Sequence, residues 1–193
     1  MDESFKKLEE LLIQVALRIA KRGEGALFVV GETKHDLLVE QNVPTFNVLK
    51  NPKLLESLAL MDGAVIIDRS GFLVAYGARI RSSKVFKNYG TRHAAALGAS
   101  KGNLVVLVSE EDKKVKILKD EKLVMQLDSL EKNVEKSVHR AVDLLESIGA
   151  GTIGAIGTSL LVPALGITLL PGIVVFGSAY YLGKYLMDRF GRK

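Results

Sequence analysis

Residues 58–76 read LALMDGAVIIDRSGFLVAY, and the fold class turns on how they divide. Ala64–Ile67 is apolar, largely β-branched, and too short for a helical repeat, which predicts a strand. Asp68-Arg69-Ser70-Gly71 is turn chemistry, and Phe72–Tyr76 resumes the apolar run, so the two runs are expected to close a β-hairpin. Upstream, Asn51-Pro52 sets a capping residue before a proline at the first helical position and predicts a short helix to about Leu60. A helix feeding a hairpin is the start of an α/β arrangement.

Working outward, residues 2–22 carry Phe5, Leu8, Leu12, Val15 and Ile19 at helical spacing with lysine and glutamate between them. This predicts an amphipathic helix stopped by Gly23, with acidic residues at its start and Lys21 and Arg22 at its end to match the helix dipole. Ala26–Val30 reads as a strand, and residues 31–50 give no clear period. Thr91–Lys101 is alanine-rich and helical. Leu104–Ser109 and Lys114–Lys119 read as strands, with Leu123–Gln126 as a third. Asp128 and Glu131 form a capping-box-like pair that predicts a long helix with Leu130, Val134, Val138, Ala141, Leu145 and Ile148 as its apolar stripe. The expected fold class is α/β, a mixed β-sheet flanked by helices.

Charge divides the chain further. Its 193 residues carry a net charge of +5, yet the 37 positions from Ser147 to Gly183 hold no charged residue at all. That contrast excludes a disordered chain and a uniformly soluble one. Three of the five net positive charges lie in the tail Lys184–Lys193. The body is nearly balanced, which argues against a broad basic face and against a nucleic-acid partner. The chain has no cysteine, so neither a disulfide framework nor a thiolate metal site or nucleophile is available. The charged first ten residues do not read as a cleavable secretory signal. Three parts are expected: an amphipathic helix at 1–24, an α/β domain at 25–146, and an apolar segment with a basic tail at 147–193.

Three segments carry candidate chemistry. Asp62-Gly63 opens a strand directly after a helix, where an aspartate can hold a divalent cation from the rim of a sheet and a glycine admits close approach to the backbone; the same dipeptide also serves as a plain turn. Gly90-Thr91-Arg92-His93 precedes the Ala94–Leu97 helical run, so free backbone N–H groups and Arg92 offer an anion site. Arg79, Arg81, Lys84 and Lys87 lie just upstream with no acidic residue from 79 to 92; a solvated basic loop is the alternative. Ser109-Glu110-Glu111 ends a strand, where α/β proteins commonly place ligand contacts. Successive residues point to opposite faces, so one glutamate of the two is expected to face a site. An acidic turn is the competing reading.

Taken together and in order, these segments resemble the diadenylate cyclase (DAC) domain family. Leu58–Asp68 resembles its "DGA" segment, Gly90–Gly98 its "GTRHR" segment, Val105–Glu111 the strand ending in Ser-Glu, and Gly25–Gly31 its first core strand. The likeness runs from about Gly25 to Lys119, roughly half the chain. It implies an enzyme that joins two ATP into cyclic di-AMP and releases two pyrophosphates with Mg²⁺ or Mn²⁺, with two domains of a homodimer meeting face to face. It implies catalytic roles for Asp62, Arg92 and His93. Gly63, Ala64, Gly90, Thr91, Arg92, His93 and Ser109 would contact ATP, and Asp62 with Glu110 or Glu111 would hold the metal. The family's Arg-His-Arg is broken here, because its third position is Ala94. That departure motivates one alternative, a nucleotide-binding sensor without synthesis; a membrane scaffold whose α/β part is structural is a second alternative.

Ser147–Gly183 contains eight of the 18 glycines together with Pro163 and Pro171. Its length without charge predicts membrane contact, and Tyr180, Tyr181 and Tyr185 beside Lys184 resemble an interfacial belt. The expectation is a glycine-rich helical hairpin turning near Leu170-Pro171-Gly172. It would anchor the protein in the cell membrane with the α/β domain on the cytoplasmic side. Packing of this segment on the domain or on another subunit is the alternative.

Overall fold

The computed structural model describes residues 3–81 and 91–149, together with four short strand fragments at 153–154, 161–162, 167–169 and 174–175. The order of elements is α1 (Glu3–Lys21), β1 (Ala26–Val30), β2 (His35–Leu37), α2 (Pro52–Ala59), β3 (Ala64–Ile67), β4 (Leu73–Ile80), α3 (Thr91–Ala99), β5 (Leu104–Ser109), β6 (Lys114–Lys119), β7 (Lys122–Asp128) and α4 (Val138–Gly149). Seven strands align as β2-β4-β3-β1-β5-β6-β7. Only the β1–β3 pair is parallel; its other neighbours run antiparallel. The expected α/β domain with a mixed sheet flanked by helices is what forms.

Helices cover both faces. The alternation along β1 shows how: Ala26, Phe28 and Val30 join the core cluster of α1, α2 and α4, while Leu27 and Val29 join the cluster of α3. β5 repeats the pattern, with Val106 and Val108 on the first side and Val105 and Leu107 on the second. A strand buried on both faces is a continuous apolar run, which is why both strands are legible from composition alone. Helix α1 buries Leu8, Leu12, Ile13, Leu17 and Ile19 almost completely. Each such side chain contributes roughly 1.5–3 kcal/mol by leaving water. The helix ends where Gly23 takes φ +75°. There Gly23 N–H donates to Ala20 O at 3.0 Å and Glu24 N–H to Ile19 O at 3.3 Å, a paired closure that glycine permits.

The hairpin forms as expected. Asp68 Oδ1 accepts the N–H groups of Ser70 (2.9 Å) and Phe72 (2.8 Å), and Gly71 takes φ +85°. Three expectations need correction, and one stretch left open takes a structure. Strand β4 runs on to Ile80, past the expected end at Tyr76, because its pairing with β3 shifts register twice and Gly77 turns through φ +54°. Such irregularity hides the second half of the strand from a period-two reading. The ambiguous stretch 31–50 contributes the edge strand β2. Asn51 makes no side-chain capping bond at the start of α2. Finally, the last helix begins at Val138, ten residues after Asp128. Asp128 Oδ1 takes the Leu130 N–H at 2.9 Å in a local turn instead of capping a helix, a 3₁₀ turn fills Glu135–Ser137, and Leu130 is 66% exposed.

The expected membrane hairpin and basic tail fall almost wholly outside the described residues. The fragments that are described there are extended, and Ile167–Leu169 pairs antiparallel with β7, Thr168 opposite Gln126. Among the described residues no helix is long and apolar enough to cross a membrane.

Candidate active site

The strand register brings the candidate segments to one end of the sheet. Phe28 pairs with Val65 and Ala26 with Val108. Continued one step beyond Ala26, this places Gly25 beside Ser109 on one side and level with Asp62 on the other. Ser109 is buried and pairs with Lys114 of β6. Alternation along β5 points Ser109, like Leu107 and Val105, to the α3 side. Helix α3 lies over this face with its first turn at the same end. Ala64 belongs to the same buried apolar layer as Ala96 and Leu97.

The first turn of α3 is anchored by two side chains. Arg92 lies across Gly25 so closely that a Cβ there would collide with Nη1, and Val108 O is also near. Gly25 is therefore the seat of the guanidinium. Half-buried His93 faces β6, with its Nε2 3.1 Å from Lys116 Nζ. Lys116 pairs with Asp112 at 2.9 Å, and its side chain is only 14% exposed. Burial works against the charged form of Asp112. Hydrogen bonds from Ser109 and Lys116, with the charges of Lys116 and Lys114, outweigh it and hold the carboxyl below its usual range. Burial and then the Lys116 charge push His93 below its ordinary value, against the pull of Asp112 and Glu111. Ser109, Asp112, Lys116 and His93 thus form one chain of polar contacts from β5 to α3.

The remaining candidates are placed as follows. Asp62 is exposed at the start of β3. Gly63 takes φ +102°, and a Cβ on it would lie 2.7 Å from the Gly77–Ala78 backbone. The close approach that requires glycine here is to β4. Glu110 and Glu111 are both exposed in the β5–β6 turn. Thr91 is the first residue of α3; Gly90, Lys84 and Lys87 lie outside the described residues. Arg79 and Arg81 both turn to Asp36 on β2: Arg81 Nε lies 2.9 Å from either carboxylate oxygen, and Arg79 Nη2 is 3.7 Å away. The hydrogen bond from Arg81 holds Asp36 below the usual carboxylate range, with burial opposing and both arginine charges adding. Gly25, Asp112 and Lys116 were not singled out by sequence reasoning. An i,i+4 pair spanning a turn and one strand residue has no signature in a linear reading, and Lys116 looks like any solvent-facing position of β6.

A divalent cation can be tested against this donor set. Among the described residues no three histidine or acidic side chains converge on a point. A metal held by those residues alone does not fit. A cation carried in on phosphate oxygens needs only one or two carboxylates, and exposed Asp62 meets that requirement. A cavity of about 730 Å³ lies elsewhere, lined by Gly31, Glu32, His35, Asp68, Arg69 and Asn103 among others, and takes in none of the candidate residues.

The chain is an α/β domain whose two-sided sheet carries a basic, half-buried helix start at one rim. The family model described as DAC, DisA bacterial checkpoint controller nucleotide-binding, matches residues 14–123, and the chain belongs to that family. A diadenylate cyclase of Methanocaldococcus jannaschii is 28% identical over 149 residues, which are 66% of this chain and 48% of that protein. The chain therefore spans about half the length of that relative. Among solved structures, a hypothetical membrane spanning protein from Bacillus cereus is 26% identical over 58% of this chain and 60% of that one, with a TM-score of 0.46. DacA from Staphylococcus aureus is 24% identical over 75% of this chain and 96% of that one, with a TM-score of 0.48.

Proposed function

We propose that this chain is a diadenylate cyclase, condensing two ATP into cyclic di-AMP and two pyrophosphates at a site shared by two copies of the domain. The observation that carries the reading is the convergence of Asp62, the Arg92–Gly25 contact and Ser109 on one sheet end, all within the segment that the family model covers. In this reading the backbone N–H groups at the start of α3 and Arg92 hold the triphosphate, and Asp62 stands where the nucleotide's metal arrives. The 3′-oxygen of one ATP attacks the α-phosphorus of the other. One P–O bond forms, the bond to pyrophosphate breaks, and the hydroxyl proton passes to the Asp62 carboxylate. Two such displacements close the ring. Mg²⁺ or Mn²⁺, when bound, neutralises charge on the phosphate oxygens. Such chemistry rests on positioning and charge stabilisation, which a preset cation and helix start supply.

One of Glu110 and Glu111 is proposed as a further metal contact from the turn beside Ser109. The uncharged Ser147–Gly183 segment is proposed as the membrane attachment, with the domain on the cytoplasmic side, where ATP is. The test is incubation of the full chain with ATP and Mn²⁺ or Mg²⁺. Release of one pyrophosphate per ATP consumed is expected. ATP that binds without turnover would replace this reading with a nucleotide sensor, the alternative that Ala94 favours.

A further inference from the structure

The cavity of about 730 Å³ opens at the end of β3 opposite to Asp62, between the loop after β1, the turn after β3 and the start of β5. Small-molecule sites commonly enclose roughly 300–1,000 Å³. The walls here carry polar atoms that the fold itself leaves unused.

Asn103 is the clearest of them. It is 8% exposed, and both hydrogens of its amide are spent: Nδ2 donates to Glu32 O at 2.7 Å and to Ala99 O at 2.9 Å. Turning the amide over would set its oxygen against two carbonyl oxygens, so these bonds decide which end is which. Oδ1 remains as an acceptor without a donor among the described residues. It stands over Gly31, which takes φ +127° and on which a Cβ would collide with Oδ1. Glycine at 31 makes room for the buried amide, and both residues line the cavity.

Two further acceptors line it. Asp68 uses Oδ1 for both turn bonds, from the Ser70 and Phe72 N–H groups, and Oδ2 has no partner among the described residues. His35 Nδ1 donates to Thr33 O at 2.9 Å, which in the neutral ring leaves the lone pair on Nε2. Exposed Glu32 adds a second carboxylate. Arg69 is the one arginine or lysine among the lining residues, and its Nη2 donates to Gly102 O at 3.0 Å. The floor is apolar, with Val74 half-exposed and Ile66 buried behind it. Surplus acceptors and an excess of negative charge call for a ligand with donors and a positive charge, and the floor calls for an alkyl body. A bare metal ion meets neither the floor nor the donor set, since among the described residues no three histidine or acidic side chains converge.

We propose that this cavity binds a small aliphatic ammonium compound. An ammonium group has three donors and no acceptor. Asp68 Oδ2, Asn103 Oδ1 and His35 Nε2 supply three acceptors, and the alkyl chain covers Val74. The cavity shares no residue with the nucleotide site at the other end of β3, so it stands or falls apart from the cyclase reading.

The test uses the full-length protein with butylammonium chloride as the probe. The comparison is 1-butanol at matched salt, the same alkyl chain without the charge. Calorimetry gives the affinity, and the imidazole ¹⁵N signals of histidine-labelled protein give the place. The chain has three histidines, so His35→Gln assigns the signal. Butylammonium is expected to bind saturably, about tenfold or more tighter than 1-butanol, and to move the His35 signal. Asp68→Asn keeps an oxygen for the two turn bonds and removes the charge, and the affinity is expected to fall about tenfold. Val74→Lys puts a tethered ammonium on the exposed floor position and should abolish binding of the probe. No saturable binding to the folded, unmodified protein overturns the proposal. So does equal affinity for 1-butanol, or binding that leaves the His35 signal unmoved; none of these needs a variant to fold. Undiminished affinity in folded Asp68→Asn or folded Val74→Lys overturns it as well.

Discussion

Arg92 reaches its place only because residue 25 has no side chain. Gly25→Ala adds one methyl group where Nη1 already lies, so the guanidinium must leave its seat. ATP affinity is expected to fall by about tenfold, the loss of one well-placed charged contact, with little change in melting temperature. Binding calorimetry beside a thermal melt checks this, and unchanged affinity would detach the seat from the site. Asp62→Asn keeps size and loses the charge, and because Asp62 is exposed the fold should survive. Turnover is expected to drop by 10²-fold or more, as removal of a transition-state contact does; near-normal turnover would take Asp62 out of the mechanism. Ala94→Arg puts back the guanidinium that the family motif carries. Arg79 and Arg81 are engaged by Asp36, so no described arginine upstream replaces it, and the variant is expected to match or exceed the unmodified activity.

Glu9 is the residue-scale oddity outside the site. It is 4% exposed in the α1 core, and Oε2 has no hydrogen-bond partner among the described residues. Burial, then the nearby Glu146, push its carboxyl up to about 7, with Lys119 and Lys6 opposing. A carboxyl whose folded value is raised stays protonated in the fold after the unfolded chain has lost its proton. Stability should therefore fall as pH rises from about 4.5 to 7 and level off above, by about 2–3 kcal/mol. Urea melts across that range check the slope, and Glu9→Gln should flatten it.

At the scale of elements, what the sequence makes legible depends on whether the cause of a feature is local. The hairpin follows from Asp68 and Gly71, whose turn bonds lie within five residues. Helix α1 follows from its own period and from Gly23. Strand β4 beyond Tyr76 and strand β2 are not legible, because bulged pairing and an edge position leave no alternation to count. The start of α4 is misplaced because Asp128 has two uses, a cap and a turn, and only the tertiary setting of β7 chooses between them. The site divides the same way. Its three segments are visible as motifs, while Gly25, Asp112 and Lys116 gain their roles from residues on other strands. Gly63 shows the limit most clearly: glycine is needed there for β4, not for a ligand alone. Gly63→Ala at φ +102° against the Gly77–Ala78 backbone is expected to cost about 2–4 kcal/mol, read as a lower midpoint in urea.

At the scale of the whole molecule, α1, α2, α3 and α4 pack on the two faces of the described sheet. Lys6 bonds Asp143 at 2.6 Å across α1 and α4. Leu145 at 8% exposure is the last described core residue. A form ending at Gly149 is therefore expected to fold and to bind ATP, while the full chain should partition into detergent or vesicles if Ser147–Gly183 attaches to membrane. Loss of folding in the short form would instead assign that segment, with its Ile167–Leu169 strand on β7, to the core. The central claim is the reaction itself, and identification of the nucleotide product tests it most directly. Full-length protein, ATP and Mn²⁺ should yield cyclic di-AMP by mass spectrometry, with two pyrophosphates for each molecule formed and at least about 10²-fold slower formation by Asp62→Asn. A linear dinucleotide, ADP or AMP as the product, or ATP left intact by folded and nucleotide-bound protein, would contradict it.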